Sequence, residues 1–313
     1  MALRIQARLP LYPPHSRVGA WLTTHEFLSA LADRGHDVRV STYLGGFLWP
    51  YEIDGVQVTR SSGIDLAGAD VAVSHLGDDQ ATSRAARLAG VPSVRMLHGV
   101  PTPADRLADD LVVANSRSLL ALSGWSGPSV VAHPPVWPGD HRVTPGDAVT
   151  LINLSPDKGG RLLWRLAARM PDVRFLAVRG GYGRQIVRRA PNVEVIDPVQ
   201  DMRTVWARTR VLLMPSRFET WGRTAIEAAC SGIPTVANPT DGLREALGDG
   251  GNWMHRGAIG GWELAVRQLL DSAGWIEASG RALARVNELD PAADVARVVD
   301  AIEALGGARR AAA

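Results

Sequence analysis

Short apolar runs alternate along this chain with longer amphipathic stretches, a rhythm that predicts strands alternating with helices. Leu3-Arg4-Ile5-Gln6-Ala7 predicts a strand and residues 10–16 a proline-rich loop. Residues 17–34 predict an amphipathic helix carrying Val18, Trp21, Leu22, Leu28 and Leu31 on one face, stopped by Gly35, after which residues 37–41 return as a strand. Further strand runs at 70–74, 93–97 and 110–114 end in His75, in His98-Gly99 and in Asn115-Ser116. Polar groups left at the carboxyl ends of successive parallel strands build the floor of a ligand crevice. Residues 128–146 hold five prolines and read as a linker. The alternation then resumes with strands at 149–154, 172–179 and 192–196. Pro291 breaks the pattern, a last amphipathic helix is predicted from Ala292 to Leu305, and residues 306–313 read as a frayed tail.

The most informative stretch follows the apolar run Val211-Leu212-Leu213-Met214. It reads Pro215-Ser216-Arg217-Phe218-Glu219-Thr220-Trp221-Gly222-Arg223-Thr224-Ala225-Ile226-Glu227-Ala228. Strand, polar turn, glycine and then Ala225, Ile226 and Ala229 in helical period predict a helix opening near Gly222. The first amides of a helix lack internal partners, so Trp221, Gly222, Arg223 and Thr224 can offer N–H groups to an anion, with the Arg223 guanidinium beside them. Glu219 and Glu227 would lie about 12 Å apart along one continuous helix, on different faces. They can serve one ligand only if Glu219 stands in the turn. The competing reading makes Thr224-x-x-Glu227 a capping box and Glu219 a solvated turn residue.

Composition narrows the field. The chain has 313 residues, enough for two α/β cores, and a formal net charge of +2 that gives no nucleic-acid-binding character to the whole. No apolar run approaches the length of a membrane helix, and the first residues are broken by Arg4, Arg8 and prolines where a signal peptide needs an apolar core. A cytoplasmic protein is the expectation, and the lone Cys230 reads as a small buried hydrophobe. Of the 34 basic residues one alone, Lys158, is lysine. An ammonium where arginine is the default can mark a site wanting a compact point charge. Lys158 also opens a stretch to Arg189 with nine basic residues and one acid, Asp172, read as a solvated helix face. Residues 43–51, with Tyr43, Phe47, Trp49 and Tyr51, could stack on an acceptor, dip into a lipid headgroup layer or pack between domains. Histidines and acids never fall at metal-ligand spacing.

The residues of the 215–228 stretch resemble the E-x7-E signature of the family 4 retaining glycosyltransferases: Pro215, Ser216, Glu219, Gly222, Glu227 and Ala228 match it. Gly232-Ile233-Pro234-Thr235-Val236 and Gly242-Leu243-Arg244-Glu245 fit the same family's C-terminal half. Lys158-Gly159 resembles its Lys-Gly pair, whereas Asn153 stands where the family carries an arginine. In the first half, Arg34-Gly35-His36-Asp37-Val38 looks like the family's opening βαβ unit, Gly19 matches the glycine that passes near the donor, and His98 looks like its cleft histidine. His75 sits where some members contact acceptor.

The resemblance implies an α/β chain of GT-B architecture, two Rossmann-like doubly wound domains facing an interdomain cleft. Residues 1–144 would form the acceptor-side domain and 145–313 the nucleotide-sugar-binding domain, with the helix at 291–306 crossing back. It implies a retaining, metal-independent hexosyltransferase using no cofactor, with a UDP- or GDP-linked sugar as substrate and an acceptor that is not readable. His98, Glu219 and Lys158 would be catalytic. Gly19, Asn153, Lys158, Trp221, Gly222, Arg223, Thr224 and Glu227 would bind the donor, and His75 and Trp49 the acceptor. The residue 197–202 loop would meet the nucleobase through backbone groups, which leave the base unnamed. The alternatives are a nucleotide-sugar epimerase or hydrolase on the same fold and a non-catalytic binding protein. Oligomeric state is not readable from the sequence.

Overall fold

The computed structural model describes residues 2–16, 18–75, 80–102, 108–181 and 183–312, so that Arg17 and Tyr182 lie outside the described residues. The chain forms two units, Met1–Pro135 together with Pro291–Ala313, and Val136–Asp290.

The first unit holds strands β1 (Arg4–Leu9), β2 (Asp37–Thr42), β3 (Tyr51–Ile53), β4 (Val56–Arg60), β5 (Val71–His75), β6 (Ser93–Leu97), β7 (Leu111–Ala114) and β8 (Ser129–Val131) in the order β3-β4-β2-β1-β5-β6-β7-β8. Every pairing is parallel except the β3–β4 hairpin, whose turn residues Asp54 and Gly55 both have positive φ. That Asp-Gly pair is a hairpin signal the apolar rhythm alone passes over. Strands β5, β6 and β7 are buried throughout, as sheets covered on both faces require, while β4 alternates toward solvent.

Helix α1 (Gly19–Asp33) lays Thr23, Thr24, Phe27, Leu28 and Leu31 on the sheet. The expected face included Trp21 and Leu22, which are only half-buried. The two threonines can take their place because each hydroxyl is satisfied locally, Thr23 donating to the Gly19 carbonyl at 2.8 Å and Thr24 to that of Ala20 at 3.0 Å. Helices α2 (Ala81–Leu88) and α3 (Arg117–Ser123) follow β5 and β7. The C-terminal helix, Pro291–Ala312, adds Val298, Val299 and Ile302 to the core of this unit. It does not fray at residue 306: Arg309 donates to the Ala69 carbonyl and Arg310 pairs with Asp70. Burial pushes the Asp70 carboxyl up, but Arg310 and the Arg4 amide outweigh it and hold the group below the usual carboxylate range.

The second unit is an all-parallel sheet of β9 (Ala148–Ile152), β10 (Phe175–Val178), β11 (Val193–Ile196), β12 (Thr209–Met214), β13 (Thr235–Ala237) and β14 (Gly251–Trp253). Their order is β11-β10-β9-β12-β13-β14. Its helices are α4 (Pro138–His141), α5 (Gly160–Arg169), α6 (Arg203–Trp206), α7 (Arg223–Ala229), α8 (Asp241–Leu247), α9 (Ile259–Leu270) and α10 (Ser272–Glu288). One core lies on each face: Trp206, Trp221, Ile226, Leu243 and Leu247 on one, Leu163, Leu166, Phe175, Trp262 and Val266 on the other. Strand order reverses between β9 and β12, and a doubly wound sheet binds ligands at such a switch point, outside the carboxyl ends of the strands. In the first unit the corresponding reversal lies between β1 and β5. No described helix is long and apolar enough to cross a membrane.

Candidate functional site

In the second unit, the loops leaving β9 and β12 at the switch point bring together most of the residues the sequence singled out. Strand β9 runs into Asn153, which adopts the left-handed region at φ 68°. Its carboxamide oxygen accepts from the Ser155 amide and from Gln185 Nε2, each at 3.1 Å. Gln185 in turn accepts the Leu154 amide at 2.7 Å and the Gly180 amide at 2.9 Å, joining the ends of β9 and β10. Gly180 has to be glycine, because a Cβ there would collide with the Asn153 carboxamide. Asn153 is therefore committed to holding its own loop. Gln185 is the residue that sequence reasoning missed, and a glutamine in an irregular segment carries no signal that could have found it.

Lys158 closes the same loop. Its ammonium pairs with Glu219 Oε1, and the Ser216 hydroxyl donates to that same oxygen at 2.8 Å. The pair is mostly shielded, with side chains 24% and 14% exposed. Close packing brings the loops together: Gly159, at φ 99°, caps α5 and leaves no room for a Cβ against the Pro215 ring. The Arg217 amide donates to the Asp157 carbonyl at 2.8 Å. Arg256 braces the pair of loops from behind, donating to the carbonyls of Pro156 and Asp157, while Asn238 ties Ser216 O to the Arg256 amide. Burial, with Arg217 nearby, pushes the Arg256 guanidinium down from its ordinary value.

Gly222, at φ 117°, starts α7 with no side-chain cap, so Thr224 is not the head of a capping box. Glu219 stands in the turn, as shared service of one ligand demanded. Glu227 lies one turn inside the helix and accepts from Arg223 Nε at 2.8 Å, the two side chains 12% and 9% exposed. Each glutamate of the motif thus holds one of the two candidate cations. Trp221 supplies its backbone near the helix start, while its indole is buried in the core. His141, on α4, was not singled out by the sequence. Burial pushes its imidazole down from the ordinary value, with Glu227 and Arg223 pulling in opposite directions.

In the first unit, Gly19 opens α1, and the structure brings His75 and His98 together at the ends of β5 and β6. Their rings stack with centroids 5.1 Å apart, Trp21 packs on His75 at 4.4 Å, and His98 Nε2 shares a 3.1 Å hydrogen bond with Thr24 Oγ1. Behind them Arg95, buried and paired with Asp109, donates to the His75 carbonyl at 3.1 Å, fixing the strand end. Trp49 belongs to a different group of rings: 62% exposed, it stacks on Phe47, which meets His15 and Tyr51 edge-on.

Residues 153–272, which contain every one of these second-unit loops and helices except α4, match the family model described as glycosyl transferases group 1. The D-inositol 3-phosphate glycosyltransferase of Mycobacterium leprae is 30% identical over 170 residues, covering 45% of this chain and 40% of that protein. Its Mycobacterium tuberculosis counterpart is 28% identical over 197 residues, covering 52% and 41%. The chain spans about two fifths of the length of these curated relatives. Among solved structures, Anabaena HepE in complex with UDP-glucose covers 96% of this chain and 100% of its own at a TM-score of 0.80 with 18% identity. Sucrose-phosphate synthase from Thermosynechococcus elongatus covers 97% and 100% at 0.80 with 15% identity. At such identities the likeness establishes the fold, which is GT-B, two Rossmann-like α/β units in one chain.

Proposed function

We propose that the chain is a retaining glycosyltransferase that moves a sugar from a UDP- or GDP-linked donor to an acceptor hydroxyl. The observation that carries the proposal is the convergence, at the switch point of a unit that matches the glycosyl transferases group 1 model, of Lys158 and Glu219 with the Arg223–Glu227 pair one helical turn on. Cleavage of a sugar–phosphate bond puts charge on the departing diphosphate and a partial positive charge on the anomeric carbon, and fixed cations and amides aimed at the leaving group stabilise that state. In this reading Lys158 and Arg223, with the amides from Trp221 to Thr224, meet the diphosphate. Glu219 positions the sugar, and Glu227 holds the ribose hydroxyls. In the first unit the family resemblance assigns Gly19 to donor binding and His98, stacked on His75, to the sugar and the acceptor. A diphosphate competes with each glutamate for its cation, which frees the carboxylates for hydroxyl groups. Asn153 contributes by shaping the loop that presents Lys158.

The leaving-group charge is met by side chains and amides, and the sequence supplies no D-x-D carboxylate pair for a metal-bridged donor, so the proposed reaction is independent of metal. The test is to incubate the protein with α-linked UDP- and GDP-sugars and a panel of hydroxyl acceptors, following nucleoside diphosphate release and the anomeric proton of the product by NMR. An α-linked product formed equally well in chelator is the expected result. A β-linked product, or activity abolished by chelator and restored by magnesium or manganese, contradicts it. An epimerised sugar appearing without acceptor would move the assignment to the epimerase class.

A further inference from the structure

The basic stretch from Lys158 to Arg189 is only partly absorbed by the folded chain. Arg169 pairs with Glu263, Arg174 with Asp147 and Arg179 with Asp197. Arg161, Arg165, Arg184, Arg188 and Arg189 are exposed and have no ion pair or hydrogen bond from their guanidinium groups among the described residues. This is unusual for the molecule, in which most arginines are neutralised by a carboxylate or capped on a carbonyl or a ring. Two further arginines, Arg60 and Arg84 of the first unit, are free in the same sense.

The two elements that carry the five are joined. Arg161 and Arg165 lie on the turns of α5 on either side of Trp164, and the Trp164 indole donates to the Ile186 carbonyl at 2.8 Å. That bond fixes the irregular segment carrying Arg184, Arg188 and Arg189 against the helix, and the Ile186 amide is held in turn by the Leu154 carbonyl at 2.9 Å. An open groove runs beside it, lined by Val187, Ala190, Pro191, Val193 and Val195 with Arg188 and Arg189 among them. Val187 projects from the arginine-bearing segment and is 42% exposed. The groove follows β11, the outermost strand of its sheet.

We propose that this face docks on the surface of an anionic lipid bilayer. Five uncompensated guanidinium groups call for an anionic partner, and their distribution over two separate elements calls for an extended one, not a single phosphate. Each arginine near an anionic leaflet contributes separately to the attraction, and an exposed valine flanked by arginines can enter the headgroup boundary. Single-stranded nucleic acid would need exposed rings on which bases stack. Trp164, the aromatic residue described at this surface, is instead buried in the protein. The inference does not depend on the sugar-transfer reading, because none of these residues belongs to the proposed site.

The experiment is co-sedimentation of the full chain with phosphatidylcholine vesicles containing or lacking phosphatidylglycerol, across a salt series. The expected result is binding only when phosphatidylglycerol is present, weakening steeply as salt rises. Combining Arg184→Glu, Arg188→Glu and Arg189→Glu should lower the partition coefficient about a hundredfold or more, at about fivefold per lost arginine. Arg60→Glu with Arg84→Glu should change it by less than about threefold, and Val187→Ala should weaken binding several-fold without altering the salt slope. Circular dichroism melts confirm that each variant is folded. The proposal is overturned if the parent fails to sediment with anionic vesicles, if both charge-reversal variants lose binding equally, or if the parent binds single-stranded nucleic acid or an acidic peptide more tightly than the vesicles.

Discussion

Lys158 and Arg223 are each paired with one glutamate of the same motif, and this sharpens what single substitutions should do. Loss of a charge-assisted contact to a developing diphosphate costs on the order of 3 kcal/mol in the transition state, so Lys158→Ala should slow turnover roughly a hundredfold. Lys158→Arg should restore only part of it, since a planar fork cannot occupy the position of an ammonium. A well-folded Lys158→Ala protein within about threefold of the parent would make Lys158 a solvated turn residue. Glu227→Gln should act mainly on the Michaelis constant and Glu219→Gln mainly on kcat, because a ribose contact is equal in ground and transition states while a group beside the reacting sugar is not. Steady-state kinetics separates the two, and equal effects on the Michaelis constant alone would contradict the roles. Asn153, by contrast, is ill-suited to replacement by the family's arginine: its φ of 68° tolerates asparagine far better than arginine, and its carboxamide is in use. Asn153→Arg should therefore lower stability by about 1–2 kcal/mol in urea unfolding. Lys158 was legible as the only lysine in the chain, whereas the Asn153–Gln185 link was not, because a hydrogen bond between residues 32 apart leaves no local pattern. His141 gives a pH test. Burial holds its folded imidazole below the ordinary value, so the folded chain binds this proton less readily than the unfolded chain does. The unfolded chain takes up the proton first as pH falls below about 6.5. Stability of the second unit should drop through that window and level off below the folded value, and His141→Asn should flatten this limb in denaturation midpoints measured against pH.

Elements that open on a glycine carry the candidate site, and two of the chain's glycines separate backbone freedom from packing. Gly35, at φ 85°, has open space around it, whereas Gly159, at φ 99°, abuts the Pro215 ring. Gly35→Ala should cost about 1 kcal/mol from backbone strain alone. Gly159→Ala should cost about 3 kcal/mol, since overpacking adds to strain and pushes the β9 and β12 loops apart. Equal costs in thermal denaturation would show that loop packing at Pro215 is not tight. The β12–turn–α7 element was readable from sequence because every step of it is local: apolar strand, polar turn, a glycine and helical spacing. Helix α1 was readable in extent but not in facing, since local hydroxyl-to-carbonyl bonds let Thr23 and Thr24 pass as apolar. The C-terminal helix was expected to end near residue 306, and the contacts that extend it, from Arg309 to Ala69 O and from Arg310 to Asp70, are far apart in sequence.

At the scale of the whole molecule, the last helix belongs to the core of the first unit although it follows the second in sequence. Ending the chain before Pro291 removes Val298, Val299 and Ile302 from that core, and loss of even one such side chain costs about 2–5 kcal/mol. The truncated chain should lose the cooperative unfolding of the first unit in urea while the second unit's transition persists. Cys230 reports on the second unit from within: burial pushes its thiol up to about 12, so a thiol reagent at neutral pH should modify it only at the rate at which that unit opens. The alternating architecture was legible because apolar period and breaker residues are encoded locally. The base of the proposed donor was not, because a loop that reads a base through backbone groups can do so with many side chains. The central claim is that the β9 and β12 loops bind the diphosphate of a nucleotide sugar. It is tested most directly by calorimetric titration of the parent, Lys158→Ala and Glu227→Gln with UDP, GDP and their glucose conjugates. Binding of one nucleotide series to the parent, weakened about tenfold or more in both variants, is the predicted result. Absence of binding by any of them, or binding equally tight in both variants, would contradict the account.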